Sequence, residues 1–354
     1  MRRTLRKTNG ITLLALVITI VVLLILASVT INMIVNGGII SKTKEATSKY
    51  KDSENAELNS FASIDYQMDK AVNGETINIL PSILADDVKT TATTSNSKIT
   101  LSDGNVAIPA GFKVIDGSTA KVSTGVIIED LNGNQYVWIP VENSEDYKRT
   151  DFGKQYGLYS NYYEELSNNE KDSITRYKGY YIARYESGID TARTSSSQEV
   201  VNSTMKIKNN KSTYCFVTRS QAAEISKAIE WKPDGKEYST ATTKLCSSYA
   251  WDTALKFIDK NVSNYSINNS LGNYSGTIAN TGTTSSAIAC NICDMGGNIW
   301  EWTSENTSSS GGTATPRGGA YDFSDIDNRC PGVRGSNDPN LSNGHVGFRV
   351  TLYM

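Results

Sequence analysis

The chain has 354 residues and a formal net charge of -2, with one histidine beside 35 basic and 37 acidic side chains; it lacks the basic footprint of a nucleic-acid binder, and nucleic acid is not expected as a partner. Its 38% apolar and 20% charged residues suit one large folded domain or two smaller ones. Five cysteines, at positions 215, 246, 290, 293 and 330, are too few and too scattered for a disulfide framework, although an exported domain has room for one or two bridges.

The first element is apolar. Arg2, Arg3, Arg6 and Lys7 precede it, and from Ile11 to Val35 no residue is charged. A run of about 25 such residues is long enough as a helix to cross a bilayer, with the basic cluster held on the cytoplasmic side. A cleaved secretory signal is the competing reading, but its apolar core would be about half as long and would end at small residues. The junction Gly10-Ile11-Thr12-Leu13-Leu14 resembles the type IV prepilin motif. That resemblance implies a leader over 1–10, cleavage between Gly10 and Ile11 by a prepilin peptidase, and a pilin-like helix over 11–71 that crosses the membrane and extends beyond it. Ile11 stands where the family usually has Phe, and Ala15 where a Glu usually pairs with a neighbouring subunit. A minor pilin, a pseudopilin associated with other pilins, and an unassembled anchor all stay open. Asn36-Gly37-Gly38 is expected to bend the helix where it leaves the bilayer.

Residues 72–125 are rich in Thr, Ser and Asp with short apolar runs, which predicts a connecting region with short strands. Strands are predicted at Val126–Glu129 and Tyr136–Val141, joined through the turn-forming Asp130-Leu131-Asn132-Gly133-Asn134, and around Tyr180–Glu186. Thr218 and Gln221 have capping-box spacing and open a helix with Ala222, Ile225 and Ile229 on one face. A second helix carries Trp251, Leu255 and Ile258 as its apolar stripe. Both stripes are read as core. The Asn-rich stretch over 261–286 reads as a long surface loop, and its Asn-X-Ser/Thr triplets follow from composition alone.

The most specific pattern after the apolar segment is Asp294-Met-Gly-Gly-Asn-Ile-Trp-Glu-Trp-Thr303, followed by Arg317-Gly318-Gly319, Arg329-Cys330, Arg334 and Gly347-Phe348-Arg349-Val350. If the first run is extended, Trp300 and Trp302 share one side and Glu301 takes the other, so the indoles are buried while the carboxylate meets a turn or an ion. Arg349 is expected to pair with a buried carboxylate or with carbonyls. This ordered set resembles the formylglycine-generating enzyme, or sulfatase-modifying factor, family over residues 126–354. The resemblance implies an α+β, C-type-lectin-like domain there. It also implies a calcium ion on Asp294, Gly297, Ile299 and Glu301, two through side chains and two through main-chain carbonyls; hard oxygen ligands suit that ion, and a purely hydrogen-bonded turn is the alternative.

The family's copper chemistry needs two thiolates. Cys330 stands near the second position, and Phe323, Ser324, Asp325 and Ile326 supply no thiol near the first. Relatives that use iron hold it with three histidines, against the single His345 here. Neither copper nor iron is expected, nor is an enzyme. Cys290-Asn291-Ile292-Cys293 has metal-knuckle spacing but would need two further ligands; buried free thiols or one local bridge is the simpler reading.

The last loops carry the expected recognition surface: Tyr321, Phe323, Asp325, Asn337, Asp338, Asn340, Asn343 and His345, aromatic and small polar side chains of the kind that adaptable interfaces use. Variable proteins of diversity-generating retroelements share the lectin-like fold and end in a similar segment before a fixed Gly-Phe-Arg strand. Adenine mutagenesis of Asn-type codons cannot reach Lys, Gln, Glu, Met or Trp, and none of these five occurs from Asn306 to Tyr353. The sequence-based expectation is a bacterial, membrane-anchored protein that displays a non-catalytic head on the outer face of the envelope or on a pilus, binding an extracellular protein or glycan. A structural pilin and a formylglycine-generating-type oxidase are the alternatives.

Overall fold

The computed structural model describes residues 16–26, 80–153, 157–201, 204–227, 240–324 and 329–354. The chain divides into two units, Met1–Ile77 and Asn78–Met354. In the first unit residues 16–26 are helical and their apolar side chains are exposed. No helix among the described residues is long and apolar enough to cross a membrane. The expected leader, the Gly10-Ile11 junction, the bend at Asn36 to Gly38 and the helix extension to residue 71 lie outside the described residues.

The second unit is a mixed α/β fold. Its strands in chain order are β1 (Ser97–Leu101), β2 (Gly104–Ile108), β3 (Lys113–Val114), β4 (Ile127–Glu129), β5 (Gln135–Pro140), β6 (Gly179–Ala183), β7 (Gly188–Ile189), β8 (Met205–Lys206), β9 (Ser212–Thr213), β10 (Thr242–Leu245), β11 (Ile288–Ala289), β12 (Ile292–Cys293), β13 (Trp300–Trp302), β14 (Val346–Phe348) and β15 (Val350–Tyr353). Its α-helices are α1 (Asp87–Thr90), α2 (Asn168–Asp172), α3 (Arg219–Ser226) and α4 (Ser248–Asp259). The main sheet is antiparallel and ordered β10-β15-β6-β5-β4-β3. The predicted β4–β5 turn is closed by Asp130, whose Oδ1 accepts the Asn132 and Asn134 amides at 2.8 Å each.

Period-two alternation along the central strands builds two cores, one on each face of the sheet. Tyr136 and Trp138 of β5, Tyr181 and Ala183 of β6, and Val350 and Leu352 of β15 pack with α3 through Ala222 and Ile225. Val137 and Ile139, Tyr180 and Ile182, and Tyr353 pack with α4 through Trp251, Leu255 and Ile258. Each large apolar side chain buried in this way contributes roughly 1.5–3 kcal/mol. The capping box at Thr218 forms as its spacing predicts, with the Thr218 hydroxyl accepting Gln221 N–H and the Gln221 side chain accepting Thr218 N–H. The stretch at 72–125, expected as a connection, supplies Ile99, Val106, Ile108, Phe112 and Val114 to the first of these cores. From Asn78 onward it belongs to the second unit.

The C-terminal third has little regular structure and is held by buried ion pairs. Arg317 donates to Asp252 Oδ1 at 2.7 Å, to the carbonyls of Val333 and Gly332 at 3.0 and 3.1 Å, and to the Ser248 hydroxyl at 3.2 Å. Arg334 pairs with Asp252 and with Glu305 Oε2, and Arg149 pairs with Glu305 Oε1 at 2.9 Å. Beside this group the buried Glu164 carboxylate accepts the Ser248 amide, in the first turn of α4, at 3.0 Å, and burial pushes its pKa up to about 8. Cys290 and Asn291, both at positive φ, are the two-residue turn joining β11 to β12, so the Cys-X-X-Cys spacing is that of a tight hairpin. All five cysteines are free thiols.

Candidate ligand-binding site

β13 and β14 pair in parallel, with Trp300 opposite Val346 and Glu301 opposite Gly347, which brings the start of the aromatic motif to the end of the last loop. Trp302 is fully buried, whereas Trp300 is half-buried and meets Phe323 edge-on at 5.3 Å. Glu301 is buried and meets Arg349, where the alternation predicts a turn or an ion. Its Oε1 and Oε2 accept from Arg349 at 2.7 and 2.8 Å, and Arg349 also donates to the carbonyls of Ala183 and Cys293. The expected pairing of Arg349 with a carboxylate and carbonyls is therefore present.

The turn before β13 needs unusual backbone. Asp294, Gly297 and Asn298 all have positive φ, and a Cβ on Gly297 would lie 2.2 Å from the Asn273 carbonyl, so only glycine fits there. Asn298 then acts as a clasp. Its Oδ1 accepts Asn273 Nδ2 at 2.9 Å and Ala279 N–H at 2.8 Å, its Nδ2 donates to the Ala279 carbonyl and to Glu186, and its own carbonyl accepts Tyr321 N–H at 2.9 Å. The Asn-rich loop is thereby fixed beside Tyr321.

Of the expected calcium ligands, Asp294 keeps Oδ1 buried with no hydrogen-bond partner, while Oδ2 accepts Gly282 N–H at 2.5 Å. Glu301 does not fit the set, because Arg349 already engages both of its oxygens and balances its charge. Burial raises Asp294 to about 6 and Glu301 to about 7. Among the described residues no three His, Cys, Asp or Glu side chains gather into a metal-holding group.

The expected recognition residues fall into two groups. Tyr321 stacks on His345 at 5.3 Å with 13° between the rings, and His345 Nδ1 lies 3.2 Å from Asp322 Oδ1. Asn343 Oδ1 accepts His345 N–H at 3.0 Å, which ties that loop to the same cluster. Asp338 and Asn340 are exposed and bond to each other: Asp338 Oδ1 accepts the Asn340 amide at 2.9 Å. Asn337 pairs through its backbone with Ala314. Among the described residues no hydrogen bond or ring contact joins these three to the Tyr321 cluster. Asp325 lies outside the described residues.

A cavity of about 260 Å³ adjoins the cluster, with Tyr321 and Gly344 in its wall. The rest of its lining was not foreseen and includes Arg193 from the loop after β7, Cys215 and Phe216 just after β9, and Ile278 and Asn280 from the Asn-rich loop. The positive φ of Phe216, at +58°, carries no mark in the sequence. Cys215 is buried beside Thr213, and burial pushes its thiol up to about 12, so it stays protonated and unreactive at neutral pH.

No curated protein sequence matches the chain. Among solved structures, variable protein 1 of Treponema denticola is similar at 13% identity and a TM-score of 0.36, over 63% of this chain and 97% of that one. PvdO from Pseudomonas aeruginosa is similar at 12% identity and 0.39, over 64% and 98%, and CarF at 14% and 0.32, over 55% and 95%. Residues 213–353, which hold α3, α4, the Asp294–Glu301 turn and the cluster at Tyr321, match the family model of the sulfatase-modifying factor enzyme 1-like domain.

Proposed function

We propose that this protein is a cell-surface recognition protein, in which a pilin-like N-terminal segment anchors a non-catalytic head that binds an extracellular protein or glycan. The observation that carries the reading is the partly exposed cluster of Tyr321, Asp322, Asn343 and His345 on a framework of buried ion pairs. Such a framework lets surface side chains change without disturbing the fold. Cys330 is fully buried, and Phe323, near where the resemblance would place an oxidase's first thiol, packs on Trp300 instead; both features favour binding over oxidation. In this reading a prepilin peptidase cuts after Gly10, other pilins are the neighbours if the protein assembles, and a retroelement diversifies the loops between Arg317 and Arg349.

The test uses the full chain and an Asp322→Ala/Asn343→Ala/His345→Ala variant on one panel of immobilised glycans and extracellular proteins. The wild type binds a subset, and the variant loses it with an unchanged melting temperature. Binding that survives in the variant removes the reading. Sequencing the coding region of residues 317–349 across sibling genomes tests diversification separately, since uniform sequence would exclude it.

A further inference from the structure

The cavity beside Tyr321 is built for something narrower than the loop cluster alone implies. Its volume of about 260 Å³ lies just below the ~300–1,000 Å³ of pockets for drug-sized ligands, and suits one large side chain. Phe216, Ile278, Ala279 and Tyr321 give it an apolar wall, beside the polar Arg193, Ser212, Thr213 and Asn280. Ile278 is 46% exposed, an aliphatic side chain left in solvent.

The polar groups of the lining are largely engaged elsewhere. Arg193 is the charged one, and its guanidinium donates to the carbonyls of Cys215, Glu199, Gln198 and Phe216 at 3.2, 2.6, 2.9 and 2.9 Å. Thr213 Oγ1 lies 3.2 Å from the Cys215 thiol, and Asn280 Nδ2 donates to Asn210 at 2.9 Å. A sugar ring, which needs several convergent hydrogen bonds, finds few here, and an anion finds no uncommitted charge. The wall is also set in advance. Phe216 sits at φ +58°, unusual for a bulky residue, with its N–H donating to the Asn343 carbonyl and its own carbonyl held by Arg193. Preorganisation of this kind lowers the cost of binding.

Building on the recognition reading above, we infer that this cavity is an anchor pocket for one aromatic side chain of a protein ligand. Ile278, Phe216 and Tyr321 of the lining meet the ring, and Asp322, Asn343 and His345 are the polar groups beside Tyr321 and Gly344. Protein interfaces concentrate their energy in aromatic anchors seated in such pockets and ringed by polar groups.

The probe is N-acetyl-L-tryptophanamide, followed by saturation-transfer NMR on the full chain, with N-acetyl-L-glutamate and methyl glucoside as competing chemistries. The expected result is saturable binding of the indole amide alone, with a Kd on the order of 1 mM. Ile278→Asp weakens it at least tenfold without changing the melting temperature, and Leu131→Asp, an equally exposed site on the β4–β5 turn, leaves it unchanged. Equal binding to Ile278→Asp, or equal binding of the glutamate or the glucoside, overturns the anchor pocket. Panel binding that the Asp322/Asn343/His345 variant abolishes but Ile278→Asp leaves intact would overturn the pocket and spare the recognition reading. Panel binding that the three-residue variant retains would sink the recognition reading instead.

Discussion

Arg317 and Arg349 are completely buried, each tied to a carboxylate and to backbone carbonyls, whereas Tyr321, Asn343 and His345, interleaved with them in the chain, are partly exposed and fixed mainly through their backbone. The two sets share one stretch of sequence and divide its work. The arginines set the course of loops that have almost no regular structure. Between them Arg334, Cys330, Val333, Val346 and Phe348 also serve the frame, and the partly exposed side chains are left to face solvent. A buried charge is a costly fixture unless its partners are all in place, so the frame tolerates no change while the face tolerates much.

Four measurements break or sharpen that contrast. Arg349→Met should have the largest effect, because Glu301 would be left buried and unpaired; we expect a loss of about 3–5 kcal/mol in denaturant unfolding. A loss below about 1 kcal/mol would show that the frame does not hold the loops. Glu164 gives the next effect. Its folded pKa, about 8, lies above the ordinary value of 4.5, so its contribution is full below pH 4.5 and is lost as pH rises through 8. The wild type should therefore be more stable at pH 5.5 than at pH 8.5, and Glu164→Gln should flatten that slope by roughly 2 kcal/mol. An unchanged slope in the variant would place the pH dependence on other buried carboxylates.

On the face, Tyr321→Ala with His345→Ala should cost no more than about 1 kcal/mol of stability while removing ligand binding. A larger cost would make the stacked pair part of the frame. The smallest effect expected is that of calcium: because Arg349 engages Glu301, millimolar calcium or a chelator should move the melting temperature by less than about 1 °C. A clear upward shift would mean that the ion draws Glu301 away from its guanidinium.

Much of the frame was legible in the sequence. The β-rich runs at Tyr136–Val141 and around Tyr180–Glu186, the capping box at Thr218 and the stripe of Trp251, Leu255 and Ile258 are local patterns, and the observed elements follow them. The pairing of Arg349 was legible because a cation in an apolar strand must find partners. The site was legible only in part. Tyr321, Asn343 and His345 do gather, but Asn337, Asp338 and Asn340 lie on the same loops without joining them. The cavity wall was missed because Ile278 arrives through the Asn298 clasp and Phe216 through a backbone conformation that its residue type does not favour. Long-range placement of this kind leaves no periodicity to read.

The position of β15 between β10 and β6 has a consequence for manufacture. Tyr353 and Leu352 come after Tyr321, Asn343 and His345, yet the six-stranded sheet cannot close without them. A chain whose loops carry a stop codon or a frameshift never receives that strand, and β10 loses its link to β6. Folding is thus a proofreading step: a second unit whose sheet runs unbroken from β10 to β3 has been translated through Tyr353.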